Sequence, residues 1–114
     1  MPSHGDILLV PISFTDLSTH KQRLVIVVSN DSYNRQMTDV VVVAMTSNPA
    51  LVDYGFVITS EDLKQGRLNY PGTVRVDKIY TLSQSIVLRT FGRVNPQVLD
   101  HIRSLLGELV AVKM

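Results

Sequence analysis

THKQRLVIVVSNDSYN, residues 19–34, decides how the chain is read. Leu24 to Val28 form an unbroken aliphatic run, preceded by the cations Lys21 and Arg23 and ended by Ser29-Asn30-Asp31. Branched apolar residues suit a pleated backbone, and a run without polar alternation belongs to a strand covered on both faces. The segment therefore reads as an interior strand stopped by a turn cluster. Arg23 stands at its mouth, where a cation is either a solvated charge or a group placed there to meet something.

Working outward, residues 6–12, 24–29, 39–45, 55–59, 72–77 and 86–92 are short, rich in Val and Ile, and bounded by Gly, Pro, Asn, Asp or Ser. Each predicts a strand. Residues 40–45 share the continuous apolar character of 24–29, whereas TVRVD at 73–77 alternates and predicts one exposed face carrying Arg75 and Asp77. One helix is predicted near the C-terminus. Asn95 is its N-cap, Pro96 its first residue, and Val98, Leu99, Ile102, Leu105, Leu106 and Leu109 recur at spacings of three and four. Strands closed by one amphipathic helix predict a mainly β domain over residues 1–114, a small bent antiparallel sheet or partly open barrel rather than βαβ units.

At 114 residues, with 45% hydrophobic and 18% charged, the chain has the composition of one globular domain rather than a disordered or fibrous segment. It contains no cysteine, which removes disulfides, thiolate nucleophiles and cysteine-type zinc sites and fits a reducing cytosol. No apolar run approaches the roughly 20 residues of a membrane span, and MPSHGDILLV lacks a basic segment before its apolar one, so neither insertion nor secretion is expected. The net charge of +1 hides an asymmetry. Residues 1–62 hold three Lys/Arg against seven Asp/Glu, a net −4, and residues 63–114 hold eight against three, a net +5. That split is either a pair of opposed faces, one suited to a polyanion, or scattered solvated charge.

The catalytic signatures that announce themselves are missing: there is no glycine-rich phosphate loop, no His-Glu-x-x-His and no G-x-S-x-G. His4, His20 and His101 lie in a terminus, a loop and a helix, so no metal site is expected. What remains is polar chemistry at strand ends. Arg75 and Asp77, two apart on one strand, leave the same face and serve either as a surface ion pair or as two groups acting on one bound group. Thr46-Ser47 marks a strand exit. The polar connection Ser13–Gln22, with Thr15, Asp16, Ser18, Thr19, His20 and Lys21, is either a plain hairpin loop or a functional loop held by apolar strands.

In order along the chain, GDILLVPISFTDLSTHKQRLVIVVSNDSYN, DVVVVAMTS, GTVRVDKIYTL and the closing amphipathic helix resemble the MazF/PemK family, the toxin ribonucleases of bacterial type II toxin–antitoxin pairs. The resemblance spans nearly the whole chain. It implies an SH3-like (CcdB/MazF-type) barrel of bent antiparallel strands with a C-terminal α-helix. By position it places Arg23 and Thr46 at a phosphate site, and Arg75 and Asp77 in proton transfer and transition-state stabilisation. His20, Lys21, Ser47 and Lys78 stand beside them as RNA-binding or auxiliary groups. It further implies metal-independent cleavage of single-stranded RNA by 2′-hydroxyl attack, without a cofactor, leaving a 2′,3′-cyclic phosphate and a 5′-hydroxyl. The expected setting is a cytoplasmic homodimer neutralised by a cognate antitoxin with a disordered acidic tail. One departure is local: members usually carry Arg-Pro where this chain has Arg23-Leu24, which frees φ and adds a backbone donor. The rival readings are binders. Gyrase-poisoning toxins share the fold but resemble one another in a Trp-containing C-terminal end, whereas this chain has no Trp and ends in AVKM; an inactive barrel that binds a partner is the other.

Overall fold

A computed structural model of the protein describes residues 1–11, 22–47 and 52–114. In chain order the elements are β1 (Asp6–Val10), β2 (Arg23–Val27), α1 (Asp31–Gln36), β3 (Asp39–Thr46), β4 (Gly55–Ile58), β5 (Leu63–Gln65), β6 (Gly72–Ser83), β7 (Arg89–Val94) and α2 (Pro96–Val110). Among the described residues the strands form one antiparallel sheet in the order β4-β6-β3-β2-β1-β7-β5.

That order makes the sheet curl. β4 and β5 are consecutive in the chain yet lie at opposite edges, with only Ile58 to Leu63 to cross between them. Five residue steps reach about 18 Å at full extension, whereas seven flat strands would hold the edges about 29 Å apart. The edges are drawn together through a 3-10 turn at Ser60–Asp62, whose Thr59 and Asp62 side chains cap each other's backbone. The result is the bent, partly open barrel that the sequence predicts.

Curling gives the sheet two apolar layers. On one face Ile7, Ile26, Val43, Met45, Val74 and Val76 pack with Val98 and Ile102 of α2. On the other, Leu8, Val10, Val25, Val27, Val40 and Val42 form a second cluster, backed by Tyr80 and Leu82. Val25, Ile26 and Val27 are therefore fully buried, as an unbroken aliphatic run requires. The helix starts as its sequence predicts, with the Asn95 side chain accepting from the Val98 N–H at 3.0 Å and Pro96 in its first turn.

The Gly-Asp pair that opens β1 is structural. Gly5 takes φ +89°, and Asp6, almost fully buried, accepts from Arg93 Nε and from the Ser3 N–H, both at 2.9 Å. Gln84, in a turn after β6, donates through Nε2 to the carbonyls of Asn34, Met37 and Asp39 and so holds the link between α1 and β3.

Several boundaries differ from expectation. β5, only Leu-Lys-Gln, is too short and polar to show a pattern. β6 continues to Ser83, well past the predicted Asp77, and the strand predicted at 86–92 runs instead over 89–94 because residues 84–86 form a 3-10 turn. The Ser-Asn-Asp cluster does end β2, but it also begins α1: Asn30 caps the Tyr33 N–H at 2.8 Å with Asp31 in the first turn. β1 ends at Val10, and the predicted extension to Ile12 lies outside the described residues. Removing packing on the helix side should be costly. Ile102→Ala is expected to lower unfolding free energy by about 2–5 kcal/mol and Asn95→Ala by about 1 kcal/mol, both read from urea denaturation midpoints at constant m-value.

Candidate active site

Strand register puts three of the predicted residues on one face. Ala44 of β3 stands opposite both Val25 of β2 and Arg75 of β6. Since side chains alternate along a strand, Arg23, Thr46 and Arg75 all project from the face of Val25 and Ala44, away from α2. Arg23 lies opposite Val10 at the start of β2, Thr46 ends β3, and Thr73 of β6 lies opposite Thr46. The three strands thus deliver their polar ends to one rim of the sheet.

At that rim is a cavity of about 290 Å³, whose lining includes Arg23, Thr46 and Ser47 together with Leu24, Met45 and the Leu68–Gly72 segment. The Nε–H of Arg23 is buried and has no hydrogen-bond partner among the described residues. A donor left in that state costs about 1–3 kcal/mol, and more when the group is charged. Native structures seldom tolerate this without a ligand, ion or water to complete the site. A bound oxyanion would satisfy it with a charge-assisted bond.

Arg75 and Asp77 do not line this cavity; they lie two strands from Arg23 on the same face. Their strand is bulged there. Val43 pairs with Ile79 and the next residue, Ala44, with Arg75, so Val76, Asp77 and Lys78 have no counterpart on β3. Such bulges re-aim side chains. Here Arg75 meets Asp77 in a two-pronged contact, Nε to Oδ1 at 3.0 Å and Nη2 to Oδ2 at 2.8 Å, with both side chains about 30% exposed (27% and 32%).

The hydrogen bonds from Arg75 hold the Asp77 carboxyl below the usual carboxylate range, against the opposing effect of burial, and Lys78 adds a smaller pull in the same direction. Reciprocally, the bond to Asp77 raises Arg75 above the ordinary guanidinium value. Both groups are therefore charged throughout the neutral range. The aspartate's contribution is complete above the ordinary carboxylate pKa and disappears as pH falls through its lowered value. The arginine's is complete below the ordinary guanidinium pKa and disappears only as pH rises through its raised one.

Among the auxiliary residues, Ser47 is exposed on the cavity wall and Lys78 is half-buried in the bulge. His20 and Lys21 lie outside the described residues. Sequence reasoning passed over Asn69, Tyr70 and Pro71, which line the cavity beside Arg23. The one available signal was an Asn-Tyr-Pro-Gly cluster directly before the strand that carries Arg75. Of the other histidines, His101 on α2 stacks on Phe56 of β4 at a centroid distance of 3.9 Å, far along the chain from these groups. No helix among the described residues is long and apolar enough to cross a membrane.

Fold and site together define a small curled-sheet protein with arginines from two strands gathered on the face opposite its helix. The chain belongs to the family described as PemK-like, MazF-like toxin of type II toxin-antitoxin system, whose profile matches residues 3–110. Among solved structures it is similar to an endoribonuclease in complex with its cognate antitoxin from Mycobacterial species, with 23% identity, TM-score 0.78, and coverage of 100% of this chain and 99% of that one. It is also similar to MazF in a MazE–MazF complex from Deinococcus radiodurans (18% identity, TM-score 0.78, 98% of each chain). A third similar structure is the Mycobacterium tuberculosis toxin MazF-mt6 (16% identity, TM-score 0.75, 96% of this chain and 99% of that one). A search of curated proteins found no match.

The pairing itself can be measured. In Arg75→Ala the Asp77 carboxyl is expected to titrate higher, back toward the ordinary carboxylate range, by carbon-13 NMR. In the intact protein neither partner should titrate between about pH 5 and 9.

Proposed function

We propose that this toxin is an endoribonuclease that cleaves single-stranded RNA through attack of a ribose 2′-hydroxyl on the adjacent phosphate. The observation that carries the reading is the buried Nε–H of Arg23, unpartnered among the described residues, at the cavity that Thr46 also lines. Membership of the toxin family and the likeness to proteins described as endoribonucleases support it.

On this reading Arg23 holds a non-bridging phosphate oxygen, and the Thr46 hydroxyl donates a second bond. Arg75 meets the charge that builds up in the transition state. Asp77 accepts the 2′-hydroxyl proton. Paired with Arg75 it is ionised but weakly basic, and sharing that guanidinium with the phosphate raises its proton affinity as substrate docks. Arg75, raised by the same pairing, is unsuited to protonate the leaving 5′-oxygen. Water or His20 is the donor. The products are a 2′,3′-cyclic phosphate and a 5′-hydroxyl, and the dependence on the 2′-hydroxyl excludes DNA.

Guanidinium groups supply the positive charge in this scheme, so EDTA should leave cleavage unchanged. Arg23→Ala, Arg75→Ala and Asp77→Ala should each remove about 2–4 kcal/mol of transition-state stabilisation, seen as slower cleavage of a fluorogenic RNA with circular dichroism unaltered. Cleavage by the Arg75→Ala and Asp77→Ala proteins at the unmutated rate would overturn the assignment.

The toxin works in the cytoplasm as a homodimer. Val57, Ile79 and Leu88 leave large apolar side chains in solvent for a second copy to cover. A cognate antitoxin restrains it by laying a disordered acidic tail over Arg23 and Arg75 in place of RNA phosphates. Light scattering should give twice the 12.7 kDa chain mass. The co-expressed product of a neighbouring short reading frame should block RNA binding, less strongly as salt rises.

A further inference from the structure

We propose that the cavity beside Arg23 takes one unstacked nucleobase of the RNA, with Tyr70 as its stacking face and Asn69 as the group that reads its edge. This rests on the ribonuclease reading and goes beyond it by assigning a pocket that selects sequence. At about 290 Å³ the cavity has room for a single ring system rather than a run of chain. Its walls have two characters: Leu24, Met45 and Leu68 are apolar, and Arg23 brings a donor with no partner among the described residues. A phosphate on that donor brings its own nucleotide's base within reach of the apolar wall.

Tyr70 is 79% exposed and belongs to neither apolar cluster, although it lines the cavity. An aromatic ring left in water beside a phosphate-binding cation is the platform on which unpaired bases stack. Phe91, also on the wall, is less suited: it is half-buried against the core, and the Arg89 guanidinium already lies 5.1 Å from its ring. Asn69 is exposed on the same wall and carries both a donor and an acceptor, which a base edge needs. Gly72 lets the Met45 side chain pack against the backbone at this wall, since a Cβ there would come within 2.8 Å of Met45 Cε. An apolar side chain from a protein partner would fit the walls but would leave Arg23 unpaired, so the base is the better occupant.

The test uses the full-length protein and RNA substrates carrying one abasic nucleotide at each position around the cleaved bond. With the intact protein, one position should raise KM about tenfold, the order lost with one stacked base. Tyr70→Ala should raise KM for the parent RNA by a similar factor, yet show no further loss with that same abasic substrate; kcat should hold in both. Asn69→Ala should change the preferred base at that position alone. Tyr70 is a surface residue, so its removal leaves the fold intact, which circular dichroism checks. If Tyr70→Ala responds to every abasic substrate as the intact protein does, or loses only its grip on the antitoxin, the base pocket is overturned while the ribonuclease stands. If the intact protein cuts no RNA, the ribonuclease reading falls and takes this proposal with it.

Discussion

Joining the two edges of a seven-stranded sheet through the short stretch from Ile58 to Leu63 is the constraint from which the rest follows. A flat sheet cannot satisfy it, so the sheet bends, and bending divides its side chains into two unequal populations. Those on the face of Ile26, Val43 and Val74 are sealed by α2. Those on the opposite face are apolar along Val25 and Val27 but turn polar at the rim, where β2 begins, β3 ends and β6 begins. On that face the register of β2 on β3 brings Arg23 beside Thr46, with Arg75 further along it.

Electrostatics at the site works by deferred pairing. Arg75 is satisfied at rest by Asp77 in a two-pronged contact, whereas the Nε–H of Arg23 is buried without a partner among the described residues. One cation is held in position and the other is left wanting an anion. A binding site needs both conditions, because an arginine fully engaged elsewhere offers no affinity and one free in solvent offers no geometry.

Most of the fold was legible because its strands are apolar enough to state their own burial. The runs at 24–28 and 40–45 announced interior strands, the alternation of TVRVD announced the exposed face of Arg75 and Asp77, and Asn95-Pro96 announced the helix start. β5 stayed hidden because three residues cannot show a period, and α1 because its six polar residues are fixed by an Asn30 cap rather than by an apolar stripe. The candidate site could be named in residue type but not in arrangement. Arg75 and Asp77 were identifiable as a same-face pair from a spacing of two, but the bulge that frames them comes from pairing with β3 and leaves no mark on their own strand. Arg23 alone reads as a solvated charge, and it is the burial of its Nε–H that argues otherwise.

The Asp6–Arg93 pair has a consequence for how the protein is made. β1 has β7 as one neighbour, and the two residues of this ion pair are 87 positions apart. Pairings of such long range form late and slowly. The β1–β7 seam cannot close until Arg93 has been made, so a chain halted before that point lacks it. On the ribonuclease reading, such a halted product carries Arg23, Thr46, Arg75 and Asp77 without the β1–β7 seam.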